Sequence, residues 1–239
     1  VKDKIRLDKL LANAGLGSRK EIKKTVREGK VAVNGTTVSD SSLHVHLGND
    51  TVTFDGVVVE YREYVYLMLN KPAGCVSATV DSKEATVVEL VPDRFRHFEL
   101  FPVGRLDKDT EGLLILTNDG KLTHELLAPK KHVPKTYFVK VKGRLTEGHE
   151  KRFAKGIVLD DGYKTMPSRM TVLHSDDVSE AEVIIHEGKY HQVKRMFGAL
   201  GLPVVYLKRT AMGSLSLDES LAPGAVRELS AKELTLLRN

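Results

Sequence analysis

The sequence predicts an α+β protein in two parts: a small basic module over residues 1–60 and a larger domain over 64–239, whose mostly antiparallel, mixed sheet is flanked by helices. Three observations carry that expectation. At 239 residues the chain exceeds the usual size of a single core. Strand-like alternation is interleaved with helical spacing at 120–128, 146–155, 188–200 and 231–237. No glycine-rich dinucleotide or P-loop signature marks a doubly wound nucleotide fold.

In the first module Ile5, Leu7, Leu10, Leu11 and Ala14 recur at helical spacing, and Gly15 and Gly17 end that helix. A second helix opens on Ser18, with Glu21 three residues later completing a capping box and Ile22 and Val26 forming a narrow apolar stripe. Around it stand Arg19, Lys20, Lys23, Lys24 and Arg27, with Lys30 just beyond; Arg19, Lys23 and Arg27 share one face. Most charge runs are solvated helix faces. This one has a single acid, Glu28, after the cap, so it lacks the i,i+4 partners of a merely solubilising surface and suits phosphates better. Val31–Val33, an Asn34-Gly35 turn and Thr36–Val38 then read as a hairpin, and 52–61 as a closing strand.

The larger domain is built round Gly104-Arg105-Leu106-Asp107-Lys108-Asp109-Thr110-Glu111-Gly112, which runs straight into the apolar Leu113–Leu116. The terminal glycines permit positive φ or close backbone approach, and the apolar run reads as a buried strand holding the loop stiff. Such a platform suits a catalytic acid. A calcium loop is the first rival, but the twelfth position is Asn118 rather than a bidentate Glu. An exposed Arg105–Asp107 pair in an ordinary turn, contributing about 0–1 kcal/mol, is the second; the loop by itself favours it. A helix N-cap at Asp107 or Asp109 is the third, and the following run lacks helical spacing.

Neighbouring segments add weight. Tyr64–Leu69 alternates and breaks at Asn70-Lys71-Pro72. Lys135–Val141 alternates with Tyr137, Val139 and Val141 on the inward face, where an aromatic ring is ordinarily core. Glu180–His186 is a further strand, followed by a helix whose stripe is Val193, Met196, Phe197 and Leu200. Lys194 and Arg195 sit near that helix's start, where the dipole disfavours cations, so an anionic partner is expected there.

Composition narrows the classes further. Thirty-seven Lys and Arg against 32 Asp and Glu give a net charge of +5, which fits an anionic partner. The single cysteine, Cys75, excludes an internal disulfide and fits a reducing compartment. No run of eighteen apolar residues and no secretory-type leader is recognised, so a cytoplasmic protein without membrane contact is expected. Nine histidines fall in no zinc-like spacing, and no metal is expected.

Residues Arg6 to Gly35, with Arg6 and Asp8 in place, resemble the S4 RNA-binding domain. Asn70-Lys71-Pro72-x-Gly, the stretch from Gly104 to Gly120, Lys135-Thr136-Tyr137 and Glu187-Gly188-x-x-His191-Gln192-Val193-Lys194-Arg195-Met196 resemble the motifs of pseudouridine synthases of the RsuA and RluA kind. Together the two resemblances cover nearly the whole chain and are closest to the RsuA branch. They imply Asp107 as the catalytic acid, with Arg105, Tyr137, Lys194 and Arg195 binding substrate and Tyr137 stacking on the base. Many relatives carry arginine where this chain has Lys194, which changes a planar fork into a point charge. They also imply RNA contacts from Arg6, Arg19, Lys20, Lys23, Lys24, Arg27 and Lys30. The substrate implied is ribosomal RNA, on this branch uridine 516 of the small subunit's 16S RNA, within a small-subunit particle or assembly intermediate, modified by a monomer.

Isomerising uridine breaks the bond between ribose C1′ and N1, turns the uracil and joins C1′ to C5. Nothing enters or leaves overall, so no cofactor is expected. A carboxylate near C1′ can attack it, stabilise positive charge or remove a sugar proton, and the sequence leaves these open. Asp107 has to stay ionised where water is excluded, so Lys194 is expected within salt-bridge reach. The target base has to be flipped out at a cost of roughly a few kcal/mol, with Arg105 filling its place or gripping a phosphate. The rivals are the same reaction on 23S RNA, a non-enzymatic RNA-binding or ribosome-assembly protein, and a hydrolase using Asp107 with Asp109; two acids so spaced on an extended loop are expected to diverge.

Overall fold

A computed structural model describes residues 4–238. By internal contacts the chain forms two compact units, one running through Val65 and taking in Pro92–Glu99, the other holding Tyr66–Val91 and everything from Leu100 onward. The excursion at 92–99 has no counterpart in the sequence pattern.

The first unit opens with β1 (Lys4–Arg6), α1 (Leu7–Asn13) and α2 (Arg19–Arg27). Ile5, counted above with the first helix, lies in β1, which pairs antiparallel with β4 (His44–His46). The capping box at α2 is complete: Glu21 N donates to Ser18 Oγ, and Ser18 N donates to Glu21 Oε2 at 2.8 Å. The hairpin of β2 (Val31–Val33) and β3 (Thr36–Thr37) turns on Asn34 and Gly35, at φ 51° and 78°, the left-handed pair a type I′ turn requires. The expected strand over 52–61 is a second hairpin, β5 (Val52–Phe54) and β6 (Val57–Val58), reversed at Asp55-Gly56. Leu7, Leu11, Ile22 and Val26 are buried with Val31, Val45 and Val52 in one core. The segment 92–99 contributes α3 (Asp93–Arg96) to this unit.

In the second unit a nine-stranded sheet carries the site. Its strands are β7 (Tyr66–Lys71), β8 (Phe101–Pro102), β9 (Glu111–Thr117), β10 (Lys135–Lys142), β11 (Arg169–His174), β12 (Val178–Ile185), β13 (Val204–Met212), β14 (Leu215–Ser216) and β15 (Val226–Glu228). The main order is β11-β12-β10-β13-β9-β7-β15, antiparallel throughout except where β13 meets β9. Helices α4 (Gly120–Leu127), α5 (Glu147–Lys155), α6 (Gln192–Gly198) and α7 (Ala231–Arg238) complete the domain, so the mixed, mostly antiparallel α+β architecture is the one expected. No helix among the described residues is long and apolar enough to cross a membrane.

Leu113–Leu116 is entirely inaccessible in the middle of β9, between β7 and β13. The residue that caps α4 is Asp119, whose carboxylate accepts from Leu122 N at 3.0 Å and from the Tyr66 hydroxyl at 2.8 Å. At the one parallel junction β13 presses against Gly112: a Cβ there would lie 2.2 Å from Arg209 O, and φ is +99°. Close approach is therefore what Gly112 serves, but the approaching backbone belongs to β13 rather than to a ligand. Gly112→Ala is expected to lower stability by roughly 2–4 kcal/mol through strain and overlap. Gly120→Ala, with open space around it, should be neutral or slightly stabilising; urea midpoints of the two variants check both.

Candidate functional site

The loop ahead of β9 is strapped from beneath by the segment that follows β7. Lys71 is fully buried, and its ammonium donates to four carbonyls: Pro72 at 3.0 Å, Asp107 at 3.1 Å, Lys108 at 3.3 Å and Thr110 at 2.9 Å. Burial pulls the Lys71 pKa down, and the carbonyl cage replaces the water removed from around it. Buried Ser77 adds a second strap, donating from Oγ to Leu106 O at 2.9 Å and accepting from Leu106 N at 3.0 Å. Gly74 N donates to Lys108 O. The Asn-Lys-Pro-x-Gly motif is thus the foundation on which Asp107 stands.

Asp107 lines a cleft of about 140 Å³ with Arg105, Tyr137, His191 and Arg209. Lys194 Nζ lies 2.9 Å from Asp107 Oδ2 and 2.5 Å from Asp109 Oδ1, so the expected pair is present and a second acid joins it. The two carboxylates converge on one ammonium instead of diverging, because Thr110 N donates back to Asp107 O and folds the loop into a turn. That turn, absent from an extended reading, is the physical reason for the difference. The hydrogen bond from Lys194 holds the Asp109 carboxyl below its ordinary range, outweighing its desolvation. Burial works against the Lys194 ammonium, yet its bonds to Asp109 and Asp107 leave it raised.

Tyr137 is 7% exposed in the cleft wall, opposite Arg209 on the adjacent strand. Arg105 is exposed at the cleft's edge and makes no ion pair among the described residues. Arg195 is not brought to the cleft: it binds Asp160 and Asp161 in an ion-paired network. One helical step rotates it by about 100° from Lys194, onto a different face.

Several positions at the cleft escape sequence reasoning. His191 takes a left-handed φ of 48° at the start of α6, which sets its Nε2 3.5 Å from Asp107 Oδ1 and its ring against Tyr190. Gln192 and Glu187 fix that turn, Gln192 Nε2 donating to Glu187 Oε1 at 2.8 Å and Gln192 Oε1 accepting from Lys189 N. The motif from Glu187 to Met196 contains these residues without separating the positioning ones from those facing the cleft.

In the first unit Arg19, Lys20, Lys23, Lys24 and Arg27 are all exposed on α2, with Lys30 beyond. Glu28 draws Lys24 and Lys30, at 3.8 and 3.6 Å, leaving Arg19, Lys20, Lys23 and Arg27 without an ion pair among the described residues. Arg6 is held by Asp8 through two contacts, of 3.1 and 2.8 Å.

A cleft whose carboxylate is paired with lysine and walled by tyrosine, in a chain that also carries a helix with four cations unpaired among the described residues, defines an enzyme that works on nucleic acid. The comparisons with known proteins make the class specific. The family model for RNA pseudouridylate synthase matches residues 65–199, and that for the S4 domain matches 5–52. An uncharacterised RNA pseudouridine synthase of Bacillus subtilis is 51% identical over 98% of both chains. The ribosomal large subunit pseudouridine synthase B of the same organism is 41% identical, covering 98% of this chain and 95% of its own. The ribosomal small subunit pseudouridine synthase A of Haemophilus influenzae is 38% identical over 98% and 99%. A crystal structure of a pseudouridylate synthase, 38% identical, matches 98% of this chain and 99% of its own with a TM-score of 0.68. The chain belongs to the RNA pseudouridylate synthase family and is an RNA pseudouridine synthase.

Lys71→Met removes the ammonium that gathers the loop's carbonyls. It is expected to cost about 1–3 kcal/mol of stability and, by letting Asp107 shift, roughly a hundredfold in kcat. Urea unfolding and single-turnover pseudouridine formation measure the two effects separately.

Proposed function

We propose that this protein converts one uridine of ribosomal RNA to pseudouridine with Asp107 as the catalytic carboxylate, and that its target lies in small-subunit 16S RNA. The observation that carries the reading is the 2.9 Å contact between Lys194 and Asp107 in a cleft walled by Tyr137. The lysine holds the acid by a direct ion pair and aims it at the sugar. Tyr137 holds the loosened base by stacking, a contact worth about 1–3 kcal/mol. Arg105, exposed and unpaired, takes the place of the flipped base or holds its phosphate. Arg195 acts at one remove, by pinning α6 to Asp160 and Asp161.

The S4 module supplies affinity that is independent of the reacting base. Its unpaired cations Arg19, Lys20, Lys23 and Arg27 neutralise phosphates, and Lys24, Lys30 and Arg6 join them when RNA displaces their carboxylate partners. The enzyme acts as a cytoplasmic monomer on RNA within a small-subunit particle or assembly intermediate. Small-subunit RNA is favoured by the His-Gln-Val-Lys-Arg-Met form of the last motif. The 41% identity to a large-subunit enzyme, beside 38% to a small-subunit one, supports 23S RNA as the second reading.

Incubating the protein with 16S and 23S RNA, as free RNA and as subunit particles, and mapping pseudouridine tests this directly. One new site in 16S RNA is expected, absent with Asp107→Asn; a site only in 23S RNA selects the second reading, and an active Asp107→Asn enzyme overturns the assignment of the acid. Reversing Lys23 and Arg27 to glutamate should weaken RNA binding at every sequence. It should also flatten the salt dependence of log Kd by about one unit for each phosphate no longer neutralised.

A further inference from the structure

The end of the cleft next to Tyr137 carries positive charge that no acid balances. Arg209 is 2% exposed, and its Nε donates to Leu113 O at 2.8 Å. Its Nη2 is buried without any hydrogen-bond partner, as is Thr110 Oγ1 in the same cleft wall. Lys135, two residues before Tyr137 on β10, lines the same wall and donates only to Val133 O at 2.9 Å. No ion pair among the described residues involves either cation. A buried guanidinium nitrogen without an acceptor is rare in a folded protein, and two unbalanced cations side by side repel each other. A negative charge that arrives during the reaction resolves both problems.

We propose that Lys135 and Arg209 receive the negative charge of the uracil ring while it is detached from the ribose. The inference rests on the isomerase reading above, but not on which role Asp107 plays. Whether the carboxylate attacks C1′, stabilises its positive charge or removes a sugar proton, the C1′–N1 bond breaks with its electron pair on the base. The resulting anion is spread over N1, O2 and O4. After the ring turns, C5 supplies the electron pair of the new bond to C1′; the proton that leaves C5 is balanced by one taken up at N1, so uridine and product have the same composition. Tyr137 and Arg209 are register partners on adjacent strands, so a ring resting on the tyrosine lies beside the guanidinium. Fixed donors aimed at developing charge act on the transition state more than on the ground state.

The charge on Lys135 provides a readout. Burial, with Arg209 alongside, brings its ammonium down to about 8. The charged form therefore predominates below pH 8 and is lost above it, so kcat/KM should fall as pH rises through that value. The other charged or titratable groups of the cleft are Arg209 on β13, Arg105 and Asp107 on the loop, Tyr137 on β10, and Lys189 and His191 ahead of α6. All of them remain in Lys135→Arg, so a difference between its profile and that of the native enzyme isolates Lys135.

The test compares native enzyme, Lys135→Met, Lys135→Arg, Arg209→Lys and Asp107→Asn in single-turnover assays on ribosomal RNA, with RNA Kd measured in parallel. Lys135→Met should slow turnover about a hundredfold with Kd changed less than twofold. Lys135→Arg should keep most of the rate and lose the fall above pH 8. Arg209→Lys, which keeps the charge in a buried position, should lose about tenfold. Normal turnover by Lys135→Met, beside an inactive Asp107→Asn, overturns this inference and leaves the isomerase reading intact. A Kd that weakens in step with the rate also overturns it, by placing the cations on an RNA phosphate. Absence of pseudouridine from the native enzyme on any RNA overturns the reading and the inference together.

Discussion

A buried lysine ammonium that gathers three carbonyls of the loop and that of its neighbour Pro72 is the constraint on which the second unit depends. Pro72, Asp107, Lys108 and Thr110 all turn their carbonyls toward Lys71. Burying an ammonium is costly, and removing its acceptors would leave it unsolvated, so the loop cannot relax without a large penalty. The backbone that carries the Asp107 side chain is therefore fixed independently of that side chain's own partners. Lys194 and His191 then hold the carboxylate itself, at 2.9 and 3.5 Å.

A comparable constraint governs the junction of β9 and β13. Gly112 lets the two strands run parallel at a separation no side chain would permit, and the approach brings Arg209 under the loop with its Nε on Leu113 O. Opposite Arg209 in the register stands Tyr137. One backbone approach therefore places the loop, the guanidinium and the aromatic wall relative to one another. Helix α6 brings the fourth component, Lys194, and its own entry is fixed by Glu187 and Gln192.

What the sequence discloses and what it withholds divide along the range of the interactions involved. The Ser18–Glu21 capping box, the Asn34-Gly35 turn, the buried Leu113–Leu116 strand and the inward face of β10 are local patterns, and each is present. The reversal at Asp55-Gly56 is also local, a turn signal set inside an apolar run that otherwise reads as one strand. Ile5 fits either period, as one apolar residue ahead of a helix does, and pairing with Val45 decides for the strand. Lys71, Ser77 and Arg209 lie outside such reasoning: a lysine that ends a strand gives no sign that it will be inaccessible and bound to carbonyls 36 to 39 residues away. Asp109 reads as diverging from Asp107 because the turn that joins them is closed by a backbone bond with no residue signature.

The charges of the cleft follow from this division. Asp107 is the sole acid among the lining residues, while Arg105, Lys135, Lys189 and Arg209 line it too. Lys194 is already committed to two carboxylates, so the remaining cations give the cleft a net positive field before RNA arrives. A field of this sign draws in a polyanion, and it surrounds an Asp107 carboxylate already paired with Lys194 at 2.9 Å. The carbonyl cage around Lys71 holds the loop backbone beneath that pair. Rigid attachment from below keeps this one carboxylate and the surrounding positive charges in fixed relative positions.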